Sequence, residues 1–454
     1  MQAVFKWYKP LLSFKKFLLI YWRNERNFNE IRALIYYMKV VVLGGGVIGL
    51  SSAYYLQEAG HQVTVIDQND ILNNCSYGNA GYVCPSHFIP LATPGIVKEG
   101  LKWMLNPQSP FYVKPRLSLS LMQWGLKFMQ MATAENVDKA AIPLKDYAML
   151  SQHCYEEWAK LPQFKFAYEH KGLLEIFQTE KVAEDAYHTI KRAHEIGLTD
   201  TQLLTQDELF ALEPRHKINA LGAIYFKCDA HLYPNKLMKQ LIEDLKSKGV
   251  QFCLNEEVVD FELNNGEIQS VITDKNKYRA DCVVLATGSW SRELVQKLGI
   301  KMPLMPGRGY SVTLEDSPFQ TDYPSVLMEG RVALTPMDGN KMRFGGTMEI
   351  TTTKAAPQMN RVVGILKAVK QFFPEFDIPT PSWDKVWYGY RPCSADGLPY
   401  LGRSKKINNL VIATGHSMIG LSLGAGTGKL VAEIIEEKPT SIDISFYHPE
   451  RFNT

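Results

Sequence analysis

No Cys-x-x-Cys pair occurs in the 454 residues, and the seven cysteines (Cys75, Cys84, Cys154, Cys228, Cys253, Cys282 and Cys393) are scattered and odd in number. That argues against a disulfide framework and favours a reduced, cytoplasmic setting. Charge of one sign is also scarce: 50 Lys plus Arg against 47 Asp plus Glu leave +3, too balanced for a nucleic-acid partner. Long apolar runs are missing from the N-terminal tail, where residues 17–22 are the longest stretch, well short of the ~20 that a spanning helix needs.

What is present is the composition of a folded globule, 46% hydrophobic and 21% charged. The length suggests two or three folded units, or one large cofactor-binding unit with insertions. Residues 1–37 hold seven basic side chains against Glu25 and Glu30, a local charge of +5 that leaves −2 for the remainder. This segment reads either as a basic, aromatic-rich tail able to lie on an anionic membrane surface, or as translation upstream of a true start at Met38. Any membrane contact is therefore expected to be peripheral, on the inner face.

Residues 39–43 form a β-branched apolar run of strand length. Gly44-Gly45-Gly46-Val47-Ile48-Gly49 follows at once, then a helical stretch over 50–59, a stop at Gly60 and a second strand over 62–66. Asp67 closes that strand 18 residues after Gly49, near the spacing at which an acid bonds the ribose hydroxyls of a dinucleotide. Gly44 permits the tight turn, Gly46 the approach of backbone N–H groups to a pyrophosphate, and Gly49 the packing of helix on sheet, with the helix N-terminus facing the negative charge. An acid at position 67 disfavours a 2′-phosphate.

A simple nicotinamide dehydrogenase would add further strand-helix units directly. Here residues 73–115 are instead rich in Gly, Asn, Pro and aromatics, and helices are expected over 119–131 and 141–160. The parallel pattern resumes with a helix over 234–248 and strands over 251–254, 257–263 (with Val258 counted among the cofactor contacts), 267–273 and 280–285. The last runs into Ala286-Thr287-Gly288-Ser289-Trp290, where small residues let backbone pass close to a cofactor. A strand over 410–413, a turn containing Gly415, His416, Ile419 and Gly420, and a helix over 421–436 repeat the pattern of a glycine turn feeding a helix N-terminus. The run 424–430 is not a P-loop, because Leu423 and Leu430 stand where the first glycine and the magnesium-binding hydroxyl belong.

Together these pieces resemble the FAD-dependent D-amino acid oxidase superfamily, and within it the D-amino acid dehydrogenases. The resemblance runs from 38 to about 439, through 40–67, 76–94 with its Gly78-Asn79-Ala80-Gly81 core, 307–313 and 387–429. The last stretch is the most specific, carrying Gly389-Tyr390-Arg391-Pro392, Asp396-Gly397-Leu398-Pro399 and Gly415-His416. It implies an α/β fold: a Rossmann-like FAD-binding domain built from discontinuous segments (38–100, 230–300 and 385–440) and an antiparallel-sheet substrate domain (101–229 and 301–384). His416-Ser417-Met418-Ile419-Gly420 and Ser394-Ala395-Asp396 depart from the His-Gly-Thr-Leu-Gly and Thr-Pro-Asp common in that branch, which bears on the preferred side chain.

The chemistry implied is removal of hydride from the α-carbon of a small amino acid, for which the protein mainly supplies orientation and a dry site. Arg391 is the expected carboxylate anchor, since a guanidinium grips a carboxylate bidentately; its bland alternative is an ion pair with Asp396. By the resemblance Tyr310 lies over the flavin with its hydroxyl toward the carboxylate or amine, and His416 lies beside the ring as an orienting group. No metal is expected: Asp229, His231, Tyr233 and Asn235 read as a helix start at Pro234. Cys393 reads as a buried apolar residue rather than a flavin link. The expected partners are the amino acid and an electron acceptor, whether quinone, carrier protein or oxygen. The competing readings are oxidation of a cyclic imino acid or secondary amine, and a non-catalytic FAD subunit of an electron-transfer complex.

Overall fold

The computed structural model describes residues 38–452 apart from 97–99, 101–105, 107 and 115. The two readings of residues 1–37 fall outside the described residues. Residues from Met38 onward form one compact unit.

Two large sheets organise it. In the first, Lys39–Leu43 lies between Cys282–Leu285 and Gln62–Asp67, parallel to both, and Leu410–Thr414 and Gln251–Leu254 extend the parallel set on either side. Tyr400–Arg403 closes one edge antiparallel. Because strand side chains alternate with period two, Val40 and Val42 enter one core while Val41 and Leu43 enter another. The first core is roofed by the helices Val47–Glu58, Ala134–Lys160, Pro234–Ser247 and Gly424–Ile435. The second lies under the helix Ser291–Lys297 and a small antiparallel sheet of Val258–Asn264, Glu267–Thr273 and Lys277–Arg279. Strands buried on both faces explain the unbroken apolar runs of the sequence.

The glycine run of the last helix has a packing cause. A side chain at Gly428 would collide with the backbone of Ser51, and one at Gly426 would stand 2.9 Å from Ser151 Cα. The helix therefore crosses both the dinucleotide helix and the long helix Ala134–Lys160 at close range, the use that bare glycine backbone permits.

The second sheet has nine strands in a largely antiparallel arrangement, beginning with Val386–Ser394, Leu304–Leu314 and Met342–Ile350. Helix Met359–Phe372 packs on one face of it. Val386–Ser394 belongs to this sheet. The motif Gly389-Tyr390-Arg391-Pro392 is thus part of the antiparallel layer. The segment after Ser394, through Asp396, returns the chain to the parallel sheet.

Most expected elements stand within a few residues of their sequence positions. The helix Leu119–Met131 and the strands Gln251–Leu254 and Glu267–Thr273 match end for end. The helix expected over 141–160 starts earlier, at Ala134, where the Thr133 side chain accepts the Asn136 N–H as a cap.

Candidate active site

A cavity of about 500 Å³ runs along the carboxyl ends of the parallel strands and under the antiparallel sheet. That is where open α/β sheets bind ligands, and the volume suits a small-molecule cofactor site. One end is walled by Asp67 and the residues 256–259, the other by Tyr388, Tyr390, Arg391 and His416.

The glycine turn behaves as its spacing requires. Gly44 has φ +102°, and a side chain there would stand 2.6 Å from the Ala286 carbonyl oxygen, so both backbone and space demand glycine. Gly46, Val47 and Ile48 line the cavity, and a side chain added at Gly46 would meet only Ser76 Oγ, at 3.6 Å. Gly45 and Gly49 do not line it. The Gly45 N–H donates to Asp67 Oδ2 at 2.7 Å, and Gly49 packs the helix against the Gly44 carbonyl.

Asp67 lines the cavity, and burial raises its pKa while hydrogen bonds from the Gly45 and Asn69 amides counteract the shift. Val258, Thr287, Gly288 and Gly420 also line it. Gly415 and Ile419 do not: Gly415 makes the turn at φ +78°, and the Ile419 side chain packs toward the core.

Among the described residues, three buried polar atoms of cavity-lining residues have no hydrogen-bond partner: Ser289 Oγ, His416 Nδ1 and Ser417 Oγ. Buried polar atoms are ordinarily satisfied. Orphaned groups in one cavity with a glycine turn, a helix N-terminus and Asp67 are what a dinucleotide with a polar ring system would occupy, so the residues fit FAD.

The His416 tautomer follows from its neighbours. Thr427 gives its single hydroxyl proton to the Leu423 carbonyl (2.7 Å), so His416 Nε2, 3.1 Å away, carries the proton and donates to Thr427 Oγ1. Nδ1 is left as an acceptor. Burial pushes the His416 pKa down to about 3, which keeps the ring neutral and unsuited to holding an anion by charge.

Arg391 stands on the strand Val386–Ser394 opposite Gly307. Its guanidinium lies over Gly309, where any side chain would collide with it, and its Nη1 donates to the Thr347 carbonyl. Burial lowers its pKa, and among the described residues no carboxylate pairs with it. The alternative of an ion pair with Asp396 is overturned, because Asp396 is held in two bonds of 2.6 and 2.8 Å by Arg451. An unpaired guanidinium at a cavity wall is costly unless a ligand anion completes it.

Tyr310 is a correction. Its hydroxyl donates to Glu349 Oε2 at 2.9 Å and accepts the Gln358 N–H at 3.0 Å, and it is not part of the cavity lining. On that strand Gly309 faces Arg391 and Ser311 bonds the Gly78 carbonyl. Period-two alternation turns Tyr310 to the opposite face, into the core with the buried Arg308–Glu349 ion pair.

Sequence reasoning missed the groups that hold the 73–81 loop in place. Ser76 Oγ accepts the Val47 N–H (3.0 Å) and Asn74 Nδ2 donates to the Gly45 carbonyl (2.8 Å). Buried Arg343 donates to the Tyr77 and Asn79 carbonyls and to Asn235 Oδ1 at 2.7 to 3.0 Å. The Asn74 and Ser76 polar pattern was a visible signal; Arg343 had none.

Comparison with known proteins agrees with this geometry. The family described as FAD dependent oxidoreductase (DAO) matches residues 39–434. A D-amino acid dehydrogenase of Helicobacter pylori strain 26695 is 33% identical over 401 residues, 88% of this chain and 95% of that protein. One of Vibrio vulnificus strain CMCP6 is 31% identical over 422 residues, 90% of this chain and all of that protein. Among solved structures, glycine oxidase from Geobacillus kaustophilus superposes with a TM-score of 0.72 at 23% identity, covering 92% of this chain and 99% of that one. L-proline dehydrogenase from P. horikoshii gives 0.70 at 20%, covering 92% and 98%; at such identities these two carry the fold alone. The chain belongs to the FAD dependent oxidoreductase family and is an FAD-dependent oxidoreductase.

Proposed function

We propose that the chain oxidises a small D-amino acid to its imino acid, which water then converts to the 2-oxo acid, and that the electrons pass to a quinone or carrier protein. The observation that carries this reading is Arg391, a half-buried cation at the cavity wall without an acidic partner among the described residues. A substrate α-carboxylate supplies the missing charge in two parallel hydrogen bonds. The curated relatives named D-amino acid dehydrogenase support the substrate class.

Bound FAD supplies the two-electron acceptor for the α-carbon hydride. The protein's share is placement. Arg391 fixes the carboxylate, neutral His416 offers Nδ1 as an acceptor without adding charge, and Trp290, Tyr388 and Tyr390 supply aromatic surface that excludes water. The amine must reach the site unprotonated, and no group here is assigned as an obligatory base. In this reading residues 38–100, 230–300 and 395–440 form the FAD domain, and 101–229 and 301–394 the substrate domain.

The test is anaerobic titration of the purified full chain with D- and L-amino acids, including D-proline and cis-4-hydroxy-D-proline, while following the flavin bands near ~370 and ~450 nm, the absorption expected of an oxidised flavin. Bleaching by D-amino acids and not by their L-enantiomers is the expected result. Bleaching confined to cyclic substrates would replace the proposal with imino-acid oxidation. Bound flavin that no amine bleaches would sink the catalytic reading.

A further inference from the structure

A second cluster of reactive side chains lies outside the cavity. Cys84 Sγ, one ring nitrogen of His87 and a carboxylate oxygen of Asp229 all lie within 4.8 Å of one another. Cys84 and Asp229 are buried, whereas His87 is partly exposed and opens a route from solvent. None of the three lines the cofactor cavity.

The backbone holds these groups in place. Tyr82–Val83 pairs with Ala230–His231, which clamps the two segments beside the cluster. The His87 N–H closes a turn on the Cys84 carbonyl (3.2 Å), and the Cys84 N–H donates to Ser422 Oγ (2.8 Å). Asp229 is oriented by Ser86, whose N–H donates to Oδ1 at 3.1 Å and whose hydroxyl donates to Oδ2 at 2.5 Å. A neighbouring thiol, Cys228, also donates to Asp229 Oδ1, at 3.4 Å.

Hydrogen bonds alone leave one feature of this cluster unexplained. Asp229 is fully buried, and among the described residues no Lys or Arg pairs with it. A buried carboxylate is costly without a cation.

We propose that Cys84, His87 and Asp229 bind a Zn²⁺ ion that braces the fold, with water completing its coordination. A thiolate, an imidazole and a carboxylate form a donor set suited to zinc, and a water molecule can fill the fourth position. The Ser86 bonds supply the outer support that metal-bound carboxylates usually have. On binding, the Cys84 thiol releases a proton to solvent and forms a Zn–S bond; no electron is transferred. The ion ties the turn at 84–87 to Asp229. The same chain segment continues back to Asn79 on the cofactor wall, and Ser422, which receives the Cys84 N–H, adjoins the cavity residue Leu421. The site therefore braces the loop over the cofactor without touching the reacting atoms.

Elemental analysis of the full chain, purified without chelator and without a histidine tag, tests this. The expected result is ~1 zinc per chain. Cys84→Ala and His87→Ala should each lower it to ~0.1 or less, while Cys154→Ala, a buried thiol outside the cluster, leaves it unchanged. A chelator should lower the Tm of the flavin-loaded wild type and leave that of Cys84→Ala unmoved. Wild-type protein that carries no zinc and takes none up on dialysis against zinc overturns the proposal, whether or not the variants fold. Zinc retained in both variants overturns it equally.

Discussion

Arg391→Met separates binding from stability at one position. In the unliganded protein Arg391 is half-buried, desolvation lowers its pKa, and its hydrogen bond to the Thr347 carbonyl is not matched by any acidic partner among the described residues. Losing that bond costs about 1.5–3 kcal/mol, because the donor is charged. Relief of an unpaired, partly desolvated charge offsets part of this. The net change in unliganded stability is therefore within ~2 kcal/mol, and Tm should stay within a few degrees. Substrate binding behaves oppositely. Removing one partner of a buried charged pair costs about 2–5 kcal/mol, a ~30- to ~5,000-fold fall in kcat/KM at 1.36 kcal/mol per decade. Stopped-flow reduction by D-alanine and differential scanning fluorimetry measure the two quantities on the same samples. A carboxylate inhibitor at a hundredfold excess over its Kd should stabilise wild type by about 2.7 kcal/mol and leave Arg391→Met unmoved. A variant that keeps kcat/KM within fivefold of wild type would refute the anchor, and one that loses activity and flavin together would assign Arg391 to the framework instead.

Gly44→Ala forces a side chain against the Ala286 carbonyl at φ +102°, strain of ~1–3 kcal/mol before the clash is counted; the purified variant should carry little flavin, read as the ratio of absorbance at ~450 to that at ~280 nm. Tyr310→Phe should leave kcat/KM within about threefold, since the hydroxyl faces away from Arg391, while lowering stability by about 1–3 kcal/mol through the donor lost to buried Glu349; a hundredfold loss of kcat/KM would restore Tyr310 to the site. Acid should unfold the protein early. His416 titrates near 6.5 when unfolded and about 3 when folded, so between those values the unfolded state binds the extra proton. Stability is complete above pH 6.5 and falls below it, by about 2 kcal/mol at pH 5 from this residue alone. His231, lowered to about 4, acts in the same direction. Urea midpoints of wild type and His416→Gln across pH 5–7.5 check this; parallel curves would contradict a buried neutral imidazole.

The sequence by itself determined what depends on near neighbours along the chain. The Gly44 to Gly49 turn, the strand and helix that flank it and the acid at Asp67 share one short unit, so spacing alone carried their geometry. The places of Val258, Thr287, Gly288 and Gly420 on the cavity wall follow from small or strand-end residues at turns, which allow close approach.

Tertiary structure decided what depends on which distant segment comes to lie opposite. The register of Leu304–Leu314 between Met342–Ile350 and Val386–Ser394 brings Gly309 under the Arg391 guanidinium and sends Tyr310 to the other face. A one-residue slip would exchange them, since strand side chains alternate. Asp396 pairs with Arg451 rather than Arg391 because the chain end folds back on it. Arg343 reaches the Tyr77 carbonyl, 266 residues away, and Ser86 meets Asp229 across 143. Local pattern records propensity and spacing, whereas these pairings exist only after long loops have closed and a buried charge has found, or been denied, its partner.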